Sequence, residues 1–330
     1  MRDPNPVPTR SLPTLDEIEA MASAINAVVP PTATYEWPLL SARAGGPVWV
    51  KHENHTAIGS FKIRGALAYA SRLVARDPSV AGLIAATRGN FGQAVAFAAK
   101  LHHLSATVVV PHGNSIEKNL AMRALGAELI EHGEDFQAAL VHSEELAARR
   151  RLHWVPSYHR DLVLGNAVST LAFLREAPLL ARVYVPIGMG SGICAMISAR
   201  DALGLGTKII GVASERAPAI ALSFEARKVV PHAASTRIAD GMACSVPSAE
   251  ALGHILKGVE RIVRVTDDEI EAAQRAYFSD THNVAEGAAG AGLAAILKDR
   301  GASSVEPAGV VFTGGNIDAD SFRRVLSNAG

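Results

Sequence analysis

At 330 residues, with 48% hydrophobic and 19% charged residues, the chain is long enough for two well-cored domains. Lysine plus arginine and aspartate plus glutamate number 32 each, so no net field favours nucleic acid or an acidic membrane, and a small-molecule partner is expected. The two cysteines cannot form a disulfide framework, the N-terminus lacks the apolar core of a signal peptide, and no apolar run could span a bilayer. We therefore expect a cytoplasmic protein.

Short β-branched runs alternate with helical patterns through most of the chain. In the first half, strands are predicted at 47–53, 82–87, 106–111 and 128–132, and helices at 60–76, 91–102, 115–126 and 136–151. In the second half, RVYVPI, KIIGVAS, RIVRVT and GVVFTGG are predicted to be strands. This alternation is typical of doubly wound, parallel α/β sheets. The spacing predicts a small domain over 51–155, inserted into a larger one built from 1–50 and 156–330.

The helix that starts near residue 60 carries Lys62 in the segment GSFKIRGA, between Phe61 and Ile63. Surface lysines usually sit among polar residues, and this one does not. Its amine could be a salt-bridge partner, a phosphate contact or a nucleophile for Schiff-base chemistry. The segment alone leaves these alternatives open.

A second segment, ATRGNFGQAVAFAA, places Thr87, Gly89 and Asn90 between a predicted strand and a helix. Free N–H groups at such a turn could hold a carboxylate. The simpler alternative is a plain helix cap by Thr87 or Asn90.

A glycine-rich loop follows the strand in VPIGMGSGICAM and consists of Gly188, Met189, Gly190, Ser191 and Gly192. Successive N–H groups at the start of a helix can bind phosphate. The loop lacks the spacing of the dinucleotide fingerprint and the Gly-Lys-Ser/Thr ending of a nucleotide P-loop. A phosphate site is therefore one interpretation, and a tight structural turn is the other.

Near the end of the chain, the strand in GVVFTGGNID delivers Thr313 to a double-glycine turn. Alone, this residue could be nothing more than part of the strand.

Taken together, these segments offer a phosphate loop, a carboxylate loop and a lysine on a strand–helix turn. An amine that can form an imine beside a phosphate site is what pyridoxal phosphate requires.

On these motifs the chain resembles the serine/threonine dehydratase branch of the fold-type-II pyridoxal-phosphate enzymes, which includes threonine deaminase and serine racemase. Four motifs occur in the family's order, and the match covers nearly the whole chain; the motifs are GSFKIRGA, TRGNFGQ, GMGSG and FTGGN. The resemblance implies a tryptophan synthase β-like architecture of two doubly wound parallel-sheet domains with pyridoxal 5'-phosphate between them. We also expect a homodimer or a higher homo-oligomer.

The resemblance also implies a role for each candidate residue. Lys62 would be the Schiff-base lysine and the base that takes the α-proton, and Phe61 would pack near the cofactor ring. Residues 188–192 would hold the phosphate, Asn90 the phenolic oxygen and Thr313 the ring nitrogen, with Glu286 nearby. Thr87, Arg88 and Gly89 would take the substrate carboxylate.

Three positions depart from the family pattern. Phe91 stands where a histidine is common, and Arg88 stands where serine racemases of the family carry a second proton donor and acceptor. Relatives that bind a divalent ion use a Glu and an Asp a few residues apart, and Glu215 has no such Asp nearby. We therefore expect no metal site.

The expected activity is β-elimination of water from a β-hydroxy L-amino acid, giving a 2-oxo acid and ammonia. Serine and threonine are the family's usual substrates. Phe91, the Ala57-Ile58 pair and LGNAVST at 164–170 favour a bulkier alternative such as phenylserine. Hydroxyaspartate would need a further cation in the site, for which Arg88 is the candidate. The remaining alternatives are a racemase and a catalytically inactive regulator that binds the cofactor.

Overall fold

The structure is a computed structural model that describes residues 10–300 and 306–327; residues 1–9, 301–305 and 328–330 of the predicted large domain lie outside them. Its helices alternate with strands as the sequence predicts. The helices are α1 Leu15–Val28, α2 Pro38–Ala44, α3 Lys62–Arg76, α4 Asn90–Leu101, α5 Ile116–Ala124, α6 Phe136–Arg150, α7 Arg160–Glu176, α8 Ser191–Ala202, α9 Ala219–Ala226, α10 Ala249–Gly258, α11 Asp267–Thr281, α12 Gly287–Arg300 and α13 Ala319–Ser327. None of these described helices is long and apolar enough to cross a bilayer.

The larger sheet has six strands within the described residues. They are β1 Thr34–Glu36, β2 Val48–Lys51, β7 Arg182–Pro186, β8 Lys208–Ser214, β9 Arg261–Val265 and β10 Ala308–Val311, in the spatial order β1-β2-β10-β7-β8-β9. All pairs are parallel except the edge pair of β1 and β2. Strand β1 is not predicted from the sequence, because three residues between two helices leave little strand pattern.

The smaller sheet has four strands in the described part of the chain. They are β3 Gly82–Ala86, β4 Ser105–Val110, β5 Glu128–Glu131 and β6 His153–Trp154, in the order β5-β4-β3-β6 with every pair parallel. Alternate residues of β3 face opposite sides, since Leu83 joins a core with α3 and α4 while Ile84 joins one with α6.

The larger sheet is also covered on both faces. In β7, Val183 packs in the core formed by α1, α7 and α8, whereas its neighbour Tyr184 packs in the core formed by α11 and α12. This alternation buries both faces of a parallel sheet. The fold is therefore the doubly wound α/β architecture that the sequence predicts.

The two sheets use separate stretches of the chain, because the smaller sheet lies wholly within 82–154. We propose that 51–155 forms a small domain and that 1–50 with 156–330 forms a large one. The predicted boundary falls inside β2, whose last residue, Lys51, pairs with Val311 of the larger sheet. Helix α7 carries buried residues along nearly its full length and packs on both α3 and α8.

Candidate active site

One cavity of about 140 Å³ lies at the C-terminal ends of strands from both sheets, where parallel α/β sheets bind ligands. We call it the main cavity. Every site residue that the sequence analysis singled out lines it: Phe61, Lys62, Thr87, Arg88, Gly89, Asn90, Gly188, Met189, Gly190, Ser191, Gly192, Glu286 and Thr313. By contrast, residues 57, 58 and 164–170, which favoured a remodelled substrate pocket, do not line it.

Lys62 is the first residue of α3, and its amine lies near two aromatic rings. Its Nζ is 4.9 Å from the centre of the Phe61 ring and 6.0 Å from that of Phe91. Burial lowers the pKa of the Lys62 amine to about 8, and the negative charge of Glu286 limits the fall. Near pH 7 an amine with this pKa is neutral in about a tenth of the molecules, far more often than an ordinary lysine, and the neutral form is the nucleophile.

The glycine-rich loop connects β7 to α8, so its N–H groups lie at the positive end of a helix. Gly190 precedes the helix with φ +102°, a conformation that favours glycine. Gly188 lies against another backbone, because a Cβ atom there would be 2.3 Å from the carbonyl oxygen of Gly241. The loop therefore presents bare backbone to the main cavity, as a phosphate site needs.

The segment from Thr87 to Asn90 connects β3 to α4. The Thr87 hydroxyl accepts a hydrogen bond from the Gly89 amide (3.0 Å), so it shapes the turn rather than capping the helix further on. Next to it, Arg88 lines the main cavity, and its guanidinium has no hydrogen bond or ion pair with any described residue. A half-buried guanidinium without a partner is suited to an anionic group of a ligand.

Asn90 and Glu286 are joined across the cavity. The Asn90 amide donates to both Glu286 carboxylate oxygens (2.8 and 2.9 Å), and Asn90 Oδ1 accepts from Asn316 (2.7 Å). Burial raises the pKa of the Glu286 carboxyl, while the charge of Lys118 and the Asn90 hydrogen bonds oppose that rise. These contacts fix the carboxyl group beside the cavity.

Lys118 and Asp240 form an ion pair in the main cavity, and neither was predicted from the sequence as a site residue. Lys118 Nζ lies 2.9 Å from Asp240 Oδ2. Burial alone would lower the pKa of Lys118, but Asp240 and Glu286 raise it above its usual value. The available signal was position, since Lys118 lies in the first turn of α5, the helix that follows β4, at the same sheet edge as the other loops.

Thr313 supplies a direct test of whether the cavity fits pyridoxal phosphate. Its hydroxyl is buried and has no hydrogen-bond partner among the described residues, although buried polar groups nearly always have one. It lines the same cavity as the Lys62 amine and the glycine-rich loop. A ligand with a ring nitrogen, an aldehyde and a phosphate would use all three, so the residues present fit this cofactor.

No group of three or more His, Cys, Asp and Glu residues that could hold a metal ion occurs within 10–300 and 306–327.

Several other residues that were not predicted as site residues line the cavity, and they are mostly apolar or small: Phe136, Ser157, Met242, Ala243 and Cys244. Phe136 follows Asp135, which caps α6 at the edge of the smaller sheet. No motif distinguishes Phe136, Ser157 or Cys244 in the sequence.

Comparison with known proteins identifies the class. The family model of the pyridoxal-phosphate dependent enzymes matches residues 25–314. An L-threonine ammonia-lyase of Thermotoga maritima is 30% identical over 95% of this chain and 78% of its own length. A catabolic L-threonine dehydratase of Staphylococcus aureus is 31% identical over 97% of this chain and 94% of its own.

The same likeness holds in three dimensions. The structure of threonine deaminase isoform 2 from Solanum lycopersicum superposes with a TM-score of 0.86 at 25% identity, covering 99% of this chain and 97% of that one. The chain belongs to the pyridoxal-phosphate-dependent enzymes of fold type II. Its cofactor is pyridoxal 5'-phosphate, as the sequence motifs predicted.

Proposed function

We propose that the chain is an ammonia-lyase that converts a β-hydroxy L-amino acid of the threonine and serine class into a 2-oxo acid and ammonia. The observation that carries the proposal is that the Lys62 amine, near the Phe61 and Phe91 rings and with its pKa lowered by burial to about 8, shares one cavity with the glycine-rich loop and Thr313. Relatives named as threonine ammonia-lyase and threonine dehydratase support it.

Pyridoxal phosphate, when bound, forms an imine with an amine and withdraws electrons from the α-carbon of an amino acid. In our proposal the glycine-rich loop binds its phosphate and Thr313 its ring nitrogen. The turn at Thr87, with the Arg88 guanidinium, binds the substrate carboxylate and orients the α-carbon toward Lys62.

Lys62 then acts as the general base. Its Nζ, free once the substrate's own amine has taken its place, accepts the α-proton. The bond from the β-carbon to its hydroxyl group breaks, and the hydroxyl leaves as water with one proton, which balances the proton that Lys62 has taken. Release and hydrolysis of the resulting enamine give the 2-oxo acid and ammonia. A neutral hydroxyl at Thr313 gives the ring nitrogen no counter-charge, which favours this elimination over transamination.

A bulkier substrate such as L-phenylserine is the second candidate. Phe91 and Phe136 both line the main cavity and would pack against a phenyl group. The centre of the Phe91 ring is also 6.0 Å from the Lys62 amine, toward which the reacting carbon must be oriented. This arrangement favours an apolar side chain over hydroxyaspartate.

The purified enzyme with its cofactor should be assayed for ammonia and 2-oxo acid with serine, threonine, phenylserine and hydroxyaspartate. Borohydride should fix the cofactor to the peptide that carries Lys62. If Phe91 sets the preference, Phe91→His should lower the phenylserine-to-threonine ratio of kcat/KM about tenfold. No 2-oxo acid from any of the four substrates, with the cofactor attached at Lys62, would refute the proposed activity.

A further inference from the structure

The side chain of Asn90 is held at both ends by residues far away in the sequence. Asn90 begins α4 and lines the main cavity. Its amide nitrogen lies 2.8 and 2.9 Å from the two carboxylate oxygens of Glu286, 196 positions further along the chain. Its Oδ1 lies 2.7 Å from Nδ2 of Asn316, 226 positions away. The orientation of this amide matters, because one end donates hydrogen bonds and the other end accepts them.

The direction of these hydrogen bonds follows from one backbone carbonyl group. The Asn316 side chain contacts two oxygens, the carbonyl oxygen of Ile58 (2.8 Å) and Asn90 Oδ1 (2.7 Å). A carbonyl oxygen can only accept, so the Asn316 atom that faces Ile58 is its nitrogen, and the second hydrogen of that nitrogen is available for Asn90. The Asn90 atom on this side is therefore its oxygen. Its nitrogen must face the opposite side, toward Glu286.

Asn316 itself is packed into a turn that fixes its position. It follows the double-glycine turn, in which the Gly315 amide donates to the carbonyl oxygen of Gly59 (3.0 Å). A Cβ atom at Gly59 would lie 2.9 Å from Asn316 Oδ1, and Gly59 has φ +67°. Glycine at position 59 thus leaves the room that the Asn316 side chain occupies.

The same turn holds Glu286. The backbone amide of Glu286 donates to the carbonyl oxygen of Gly314 (3.2 Å), two residues before Asn316. Glu286 and Asn316 are therefore fixed relative to each other, and they contact opposite ends of the Asn90 amide. A rotated amide would bring its oxygen against the Glu286 oxygens and its nitrogen against that of Asn316. Both contacts would then change from attraction to repulsion.

This orientation suits the predicted partner of Asn90, the phenolic oxygen of pyridoxal phosphate. A hydrogen-bond donor beside that oxygen favours its ionised form, whereas an acceptor disfavours it. The Asn90 nitrogen carries two hydrogens, so it can donate one to a bound phenolic oxygen and keep the other for Glu286. The contact with Asn316 at the other end of the amide is unaffected by this exchange.

We propose that Asn316 is a positioning residue for the reaction: through Asn90 Oδ1 it keeps the Asn90 nitrogen directed toward the phenolic oxygen of the cofactor. Asn316 does not line the main cavity, so it acts on the cofactor through Asn90. This inference rests on the proposed function and on the predicted role of Asn90.

The first test measures how far the phenolic oxygen is ionised in the holoenzyme, from the ratio of the two absorption bands of the bound cofactor at a fixed pH. Asn316→Ala should lower the ratio of ionised to neutral form about two- to tenfold, the range that one hydrogen bond gives. Asn283→Ala is the matched control, because Asn283 also makes several side-chain hydrogen bonds but neither contacts Asn90 nor lines the main cavity. It should leave the ratio unchanged.

A double-mutant cycle separates positioning of Asn90 from a general loosening of the site. In an Asn90→Ala background, Asn316→Ala should change the ratio no further, since its effect passes through the Asn90 amide. An unchanged ratio in Asn316→Ala alone, an equal change in Asn283→Ala, or a full effect in the Asn90→Ala background would refute the role of Asn316.

A crystal structure of the wild-type holoenzyme needs no variant, so this second test does not depend on how a substitution folds. Asn90 Nδ2 should lie within hydrogen-bond distance of the phenolic oxygen, while Asn316 keeps its contacts with Asn90 and Ile58. An Asn316 side chain turned away from Asn90 would overturn the inference. Failure of the proposed function has a different signature, since no 2-oxo acid would then form, whereas loss of the Asn316 contact in an active enzyme would remove only this inference.

Discussion

The backbone amide of Phe61 donates a hydrogen bond to the carbonyl oxygen of Thr313 (3.0 Å). The residue just before the proposed Schiff-base lysine is thus joined directly to the proposed partner of the ring nitrogen. An isolated bridge between Ser60 and Gly314 extends the connection. Because α3 starts at Lys62, this contact fixes the base of the helix relative to the end of β10 and sets the distance between two groups that act on one cofactor.

Replacement of Lys62 by Ala should abolish covalent attachment of the cofactor and essentially all turnover, because one amine serves both functions. Borohydride reduction followed by peptide mapping measures the attachment. Lys118→Met is the matched control, since Lys118 lines the same cavity but is held by Asp240. Labelling at Lys118 in the wild type, or several per cent of activity left in Lys62→Ala, would contradict the assignment.

The rate at which the apoenzyme attaches its cofactor should rise with pH and level off above about pH 8, where the Lys62 amine becomes neutral. An unperturbed lysine would still gain neutral amine up to about pH 10.4. Because the pKa of Lys62 is lower in the folded protein, the unfolded chain binds more protons between about pH 8 and pH 10.4. The free energy of unfolding of the apoenzyme should therefore rise with pH through that window. Lys62→Met should lose this gain, and a wild-type rate that rises past pH 10 would refute the depressed pKa.

The glycine-rich loop allows a paired test. A Cβ atom at Gly192 would lie 3.4 Å from the Phe61 ring, an ordinary contact, so Gly192→Ala should keep the fold and weaken cofactor binding about tenfold or more. A Cβ atom at Gly190 would lie 2.6 Å from the Ala251 Cβ with φ +102°, so Gly190→Ala should also destabilise the apoenzyme by roughly 1–3 kcal/mol. Cofactor titration and denaturant unfolding separate the two effects, and unchanged affinity in Gly192→Ala would reduce the loop to a structural turn.

Dehydration should exceed racemisation. Racemisation needs a second base on the other face of the α-carbon, and a guanidinium group such as that of Arg88 does not act as one. Lys118, the other basic residue that lines the cavity, has a pKa that is raised beside Asp240, so it is a poor candidate as well. The enzyme should be incubated with L-serine and L-threonine in heavy water while both enantiomers and 2-oxo acid are followed. D-amino acid that forms as fast as 2-oxo acid would show an unrecognised second base.

Much of the fold follows from periodicity in the sequence. The strands around Val183 and Ile84 are apolar on both faces, as buried parallel strands must be, and the capping box at Thr266 marks the start of α11. Helix α7 was not predicted, because it is buried on nearly all sides and shows little helical amphipathicity. Strand β6 is too short to leave a pattern.

The residues of the site also divide into those that the sequence predicts and those that it does not. Lys62, Thr313 and the glycine-rich loop were predicted because each sits in a motif with its own local chemistry. Lys118 and Asp240 were not, since their importance comes from a contact between residues 122 positions apart in the chain. The segment 164–170 was predicted to remodel the substrate pocket, but it does not line the main cavity, because α7 is buried between α3 and α8. The residue roles and the domain boundaries remain predictions.

The position of β10 has a consequence for how the enzyme is made. This strand lies between β2 and β7 in the larger sheet, yet it is the last strand of the described chain to leave the ribosome. Until then β2 and β7 each expose an unpaired edge, and the residues around Lys62 lack their contacts with Thr313 and Gly314. Loading of the cofactor must therefore wait until translation of the sheet is complete, and the nascent chain is most exposed to mispairing just before that moment.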